Sequence, residues 1–196
     1  MHPTAYIPDV DQMPEGEVIL RLAFHLLTLP GASQTVRVCL DDQHEVAGGR
    51  LIFPIALFLK ADGWQQTEQK GKRPWQGTYQ KGTWQLIVSP DSRGGDVVAT
   101  VGKKRVHAEA KKGNMDRTRG NPENTLVHEA IGQLMTIEDY DTGDILVVAV
   151  PLSPPHRSKV AWQARPLMEK IGITIVLVGR DGTVEGLPKL AEESGA

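Results

Sequence analysis

The stretch GGDVVATVGKKRVHAEAKKG, residues 94–113, decides how this chain is read. Two β-prone runs, 97–101 and 105–110, flank Gly102-Lys103, and a Gly-X pair between such runs predicts a two-residue type II′ hairpin. With that loop Val101 faces Lys104, and counting back along both arms puts Asp96 opposite Glu109. Facing side chains on an antiparallel pair have Cβ atoms roughly 4.5–5.5 Å apart. Two carboxylates therefore meet with no cation of the hairpin directly between them. A hard divalent cation is the most economical compensation, because Mg²⁺ is commonly held by one or two carboxylates together with water and a substrate phosphate. Lys111 shares the face of Glu109, since side chains alternate with period two, and His107 lies one step along it. The competing reading is a solvated strand face whose E-x-K pair is only a weak surface ion pair.

Composition narrows the class. The 196 residues, 40% of them hydrophobic, suit one α/β domain with a sizeable core. A net charge of −2 excludes a general polycation, so any nucleic-acid contact must come from local patches. Cys39 is the only cysteine, which excludes an internal disulfide and a cysteine-based zinc site and leaves a small buried hydrophobe. The opening MHPTAYIPDVDQMPEGE lacks a basic-then-apolar signal pattern, and the longest apolar run, 51–59, is too short to span a bilayer. A cytoplasmic protein with no membrane segment is expected.

Before the hairpin, residues 1–14 read as irregular, with prolines at 3, 8 and 14. Residues 15–29 carry Val18, Leu22, Leu26 and Leu29 at helical spacing until Pro30-Gly31. Residues 35–40 predict a strand, and the polar DDQHE at 41–45 reads as a solvated turn, with metal ligation the sharper alternative. Residues 51–60 predict a buried helix with Gly63 at its C-terminal cap. From 64 to 84, Lys70, Lys72, Arg73 and Lys81 are interleaved with Trp64, Trp75, Tyr79 and Trp84. This is either a surface that neutralises phosphates and stacks on bases or a glycine-rich loop whose aromatics pack on the core. Residues 83–89 predict the strand that precedes the hairpin. Asp91, in Pro90-Asp91, rivals Asp96 but lies before Gly94-Gly95 and cannot face Glu109 in this register, so Asp96 is assigned. The glycine pair lets the backbone approach a metal or phosphate closely.

After the hairpin, residues 103–119 hold seven Lys or Arg against two acids. Lys112, Arg117 and Arg119 there suit a phosphate backbone, with a charged solvated loop the equally simple reading. Asn121-Pro122-Glu123 reads as a helix start: a capping residue, proline at the first helical position and an acid at the positive end of the dipole. The helix is expected to run to about residue 138, burying Leu126, Val127, Ala130, Ile131, Leu134 and Met135 and presenting Thr125, Glu129, Gln133 and Thr136. Residues 144–152 and 171–178 are near-continuous apolar runs, as in strands covered on both faces. Between them 156–170 predicts a helix interrupted at Pro166, which implies a parallel crossover. His156, Arg157, Lys159 and Arg165 form a second basic group.

Asp96, twelve residues, then Glu109-Ala110-Lys111 resembles the signature of the PD-(D/E)xK nuclease superfamily. The helix, Gly63-Trp64 and strand beginning near 51 resemble the opening of that family's core, and Gly132-Gln133-Leu134 resembles the glutamine setting of several branches. Those branches often place a tyrosine one turn later, where this chain has Ile137. The resemblance implies an α/β restriction-endonuclease-like core, a central mixed β-sheet flanked by helices in the order αβββαβ, over residues 50–186. Residues 1–49 become an N-terminal extension packed on that core and 187–196 a tail. It further implies Mg²⁺-dependent hydrolysis of phosphodiester bonds in DNA, with Mn²⁺ as a substitute. Asp96, Glu109 and the Ala110 carbonyl become metal ligands, Lys111 activates or orients the attacking water, and Gln133 positions Lys111 or the water. Lys72, Arg73, Trp75, Lys112, Arg117 and Arg119 are the expected DNA contacts. A homodimer is expected, since many such nucleases cut two strands. The alternative from another class is a nuclease-like fold without catalysis that serves as a nucleic-acid-binding or protein-interaction subunit.

Overall fold

The computed structural model describes Tyr6, Asp9 and residues 11–115 and 122–188. In chain order the elements are β1 (Gln12–Met13), α1 (Glu15–Thr28), β2 (Ala32–Cys39), the one-turn α2 (Asp42–Glu45), β3 (Val46–Ala47) and β4 (Arg50–Leu51). Then come α3 (Ile55–Ala61), β5 (Gln65–Gln69), β6 (Gly77–Lys81), β7 (Trp84–Ser89), β8 (Val97–Val101), β9 (Lys104–Ala110) and β10 (Gly113–Asn114). The last part holds α4 (Pro122–Leu134), β11 (Ile145–Pro151), α5 (Pro154–Val160), a 3₁₀ turn (Ala161–Ala164), α6 (Pro166–Ile171), β12 (Ile173–Val178) and β13 (Val184–Glu185). Nine strands form one mixed sheet in the order β13-β12-β11-β9-β8-β2-β7-β6-β5.

The hairpin folds in the register that its sequence dictates. β8 and β9 are antiparallel, with Val101 opposite Lys104 and Val97 opposite Ala108. Gly102 has φ +62°, and no described non-glycine residue has positive φ, which is the pattern of a type II′ loop. β11 lies parallel to both β9 and β12, as the apolar runs around it imply. Alternation along β11 sorts two cores. Val147 and Ala149 join the cluster beneath α1, built on Val18, Ile19, Leu22 and Leu26. Leu146, Val148 and Val150 join the cluster beneath α4, with Val127, Ala130 and Leu134. The α4 helix ends at Leu134, earlier than expected, and Met135 is exposed rather than part of the stripe.

Two long-range placements differ from the sequence reading. Residues 1–49 are not an extension added to the sheet: β2 sits inside it, parallel to β7 on one side and antiparallel to β8 on the other. The strand at 84–89 is consequently not hydrogen-bonded to the hairpin, although it directly precedes it in sequence. The helix packed over the sheet centre is α1, which contacts β2, β8 and β11, while α3 and β5–β7 are inserted between β2 and β8. Sequence neighbours pair in most sheets, and an intruding strand leaves no local trace in either partner. The helix expected at 156–170 is divided into α5, the 3₁₀ turn and α6, with Pro166 opening α6. No helix among the described residues is long and apolar enough to cross a membrane.

At the mouth of the hairpin, Gly95 adopts φ +94°, and a Cβ there would lie 2.9 Å from the Ala108 carbonyl oxygen and 3.3 Å from Glu109 Oε1. Both the left-handed backbone and the close approach demand glycine. Gly95→Ala is expected to destabilise the fold by roughly 1–3 kcal/mol, read as a lowered urea midpoint. An unchanged midpoint would contradict this account of the turn.

Candidate functional site

The site grows from the open end of the hairpin. Beyond the last β8–β9 pair, Asp96 and Glu109 are 8% and 6% exposed, and Lys111 is 4% exposed. Asp96 Oδ2 accepts the Ala110 N–H at 2.9 Å, so the carboxylate takes the place of the strand that has run out. In extended backbone a residue's N–H and C=O emerge on the same edge, so the Ala110 carbonyl also faces the Asp96 side. The backbone of Asp96 is fixed by β2, whose Cys39 N–H donates to its carbonyl at 2.8 Å.

The two buried carboxyls face each other, and each raises the cost of ionising its neighbour. Burial pushes Glu109 up to about 8, the neighbouring Asp96 adds to the shift, and Lys111 opposes it. Burial likewise raises Asp96, against the pull of the Ala110 N–H, while Glu15 raises it further and Lys111 and His44 lower it. Burial combined with like charge is the arrangement that a dication relieves.

Lys111 is tied to both faces of the sheet. Its backbone N–H donates to the Ala149 carbonyl at 2.9 Å. Its Nζ lies 3.6 Å from Glu15 Oε1 at the start of α1 and 3.9 Å from Glu129 Oε1 on α4. Pairing of β1 with β10 brings the start of α1 to this end of β9. Glu15 is also 3.7 Å from His44 Nε2, and the His44 Nδ1 lies 2.8 Å from Asp41 Oδ1. Burial opposes charging of His44, but Glu15 and Asp41 outweigh it and its pKa is raised. Burial likewise opposes ionisation of Glu15, yet His44, Lys111 and the Lys112 peptide N–H hold its carboxylate below its usual range.

Gln133 joins Ser92, Arg93, Asp96, Glu109, Thr136, Ile137 and Glu138 in lining an open cavity of about 270 Å³. The structure thus gathers Asp96, Glu109, Ala110, Lys111 and Gln133 around one end of the sheet. Asp91 is elsewhere, 2.7 Å from Arg93 and 3.4 Å from Arg37, with its carboxyl held far below the usual range by Arg93. His107 is structural: its ring nitrogens lie 2.8 Å from the Gly94 carbonyl and 3.2 Å from Asp144.

The aromatic segment follows the packing reading. Trp64, Trp75 and Tyr79 are buried, and the Trp75 indole N–H donates to Glu45 Oε2 at 2.8 Å. The Trp75 ring is therefore not available to stack on a base, which corrects its assignment as a DNA contact. Lys72 and Lys112 are exposed, and Arg73, also exposed, forms an ion pair with Asp42. Arg117 and Arg119 lie outside the described residues. Sequence reasoning missed Glu15, because an acid in a first helical turn is already explained by the dipole. It noted His44 only within an acidic turn.

The donor set suits a hydrated hard cation: two apposed carboxylates and a free-edge carbonyl, all oxygen. Among the described residues no group of three or more His, Cys, Asp or Glu is gathered to hold a metal unaided. Glu109 carries its extra proton only in the folded state, between its usual value of 4.5 and about 8. The folded protein binds more protons than the unfolded chain in that window, so stability is greatest at the acid end and falls as pH rises through 8. The metal-free melting temperature is expected to decline from about pH 5 to pH 9, and Glu109→Gln to flatten that decline. An identical slope in the variant would remove Glu109 as its source. No protein-family model, curated protein or solved structure matches this chain.

Proposed function

We propose that the chain is a metal-dependent endonuclease that hydrolyses phosphodiester bonds in DNA. The observation that carries the reading is the buried Asp96–Glu109 pair beside Lys111, with Gln133 on the wall of the same cavity. The element order supports it too: α1, the β2-β8-β9 meander, α4, then β11 parallel to β9 fits the αβββαβ plan of a restriction-endonuclease-like core.

Asp96, Glu109 and the Ala110 carbonyl would hold Mg²⁺, or Mn²⁺ in its place. The bound cation would polarise a phosphoryl oxygen and neutralise charge that develops on phosphorus. Lys111, held between Glu15 and Glu129, orients the attacking water and stabilises charge at its oxygen. The water oxygen forms a bond to phosphorus as the bond to the leaving sugar oxygen breaks. Gln133 fixes the water or the Lys111 ammonium by its amide. Exposed Lys72, Arg73 and Lys112 would meet backbone phosphates, and a homodimer would address both strands.

The expected outcome is nicking or linearisation of plasmid DNA with Mg²⁺ or Mn²⁺, abolished by EDTA. Asp96→Asn and Lys111→Ala should each lower the rate by at least about a hundredfold while keeping the fold. Cleavage at the parent rate by Asp96→Asn would sink the assignment. Absence of cleavage together with absence of metal-dependent thermal stabilisation would favour the non-catalytic, nucleic-acid-binding reading.

A further inference from the structure

On the flank of α4 away from the carboxylate cavity, a tryptophan carries a cluster of cations. The His128 ring stacks on Trp162 at a centroid distance of 4.9 Å and an interplanar angle of 24°. The Arg165 guanidinium lies 4.5 Å from the Trp162 ring centroid and the Lys159 ammonium 5.3 Å from it. Trp162 packs partly into the core beneath α4, which anchors the group. Among the described residues neither Lys159 nor Arg165 makes an ion pair with a carboxylate, whereas nearby Arg157 is neutralised by Glu185 at 2.8 Å. An indole face holds a cation in place without cancelling its charge. The result is a positive patch that no carboxylate among the described residues neutralises.

Its position relates it to the proposed active site. Glu129 and Gln133, one turn apart, form the flank of α4 that faces Lys111 and the cavity. His128 lies about 100° around the helix from Glu129, and exposed Gly132 follows it one turn later on that same flank. A Cβ at Gly132 would meet nothing within 4 Å, so packing does not require glycine there. Glycine in a helix interior is unfavourable, and its effect here is to keep the helix surface low between the cavity and the cations.

Resting on the nuclease reading, we propose that His128, Lys159, Trp162 and Arg165 form a second phosphate-backbone contact, which holds the polynucleotide where it leaves the cavity across α4. Phosphates set the register of a bound strand without reading its sequence, so this platform would position substrate rather than select it.

The test measures binding of a fluorescein-labelled DNA duplex by anisotropy over a salt series, in the Asp96→Asn protein with EDTA. Lys159→Ala/Arg165→Ala is compared with Lys103→Ala/Lys104→Ala, which removes the same charge at the hairpin tip, the opposite end of β9. Loss of two phosphate contacts should weaken binding at least about fivefold and reduce the log–log salt slope by roughly two. Trp162→Ala, which leaves the charges but removes their support, should also weaken binding, and Gly132→Glu should do so without lowering the melting temperature sharply. Equal effects of the two double variants would overturn the platform while leaving the nuclease reading intact. No binding of DNA by the parent at low salt would overturn both.

Discussion

Two carboxylates facing each other at the end of a hairpin are the constraint on which this structure depends. Transfer of an ionised carboxylate out of water is strongly unfavourable, and a second one beside it compounds the penalty. The chain meets it with a Glu109 carboxyl that burial keeps protonated up to about pH 8, the Ala110 N–H on Asp96, and Lys111 and His44 nearby. Ala110 and Lys111 stand at the end of β9, whereas His44 comes from α2. A site of this kind cannot form from the hairpin alone.

The supporting elements are themselves held by buried polar contacts. Glu17, two residues beyond Glu15, is fully buried and accepts the Tyr6 hydroxyl at 2.5 Å and the Arg21 Nε at 2.9 Å. Arg180, following β12, lies 3.4 Å from the same carboxylate and donates to the Gln12 carbonyl at 2.7 Å. Removing one partner of such a buried group leaves the other uncompensated, so the network fixes the start of α1 firmly. Glu15 inherits its position from Glu17. On the other side, the α2 turn is tied to the β5–β6 loop by Arg73–Asp42 and Trp75–Glu45, which holds His44 against Glu15.

Much of the fold was legible because it rests on local pattern. The II′ turn, the hairpin register, the doubly covered β11 and β12, and the break at Pro166 follow from glycine, proline and hydrophobic periodicity. The apposition of Asp96 and Glu109 followed from that register by counting. The burial of Trp64, Trp75 and Tyr79 was not decided by composition, because basic residues among aromatics suit a ligand surface and a folded-back loop equally well. Neighbours such as Glu45 and Phe24, which settle the matter for Trp75 and Trp64, are distant in sequence.

By itself, then, the sequence determined the hairpin, the pairing of its two acids, the face that Lys111 shares with Glu109, and the apolar strands around them. All depend on contacts within a few residues or on strict alternation. Only the tertiary structure decided that β2 enters the sheet between β7 and β8, that Glu15 and His44 close the site, and that Gln133 reaches the cavity. Those placements arise from pairing across long stretches of chain, where the free energy belongs to the assembled sheet and its two cores, and no single segment records it.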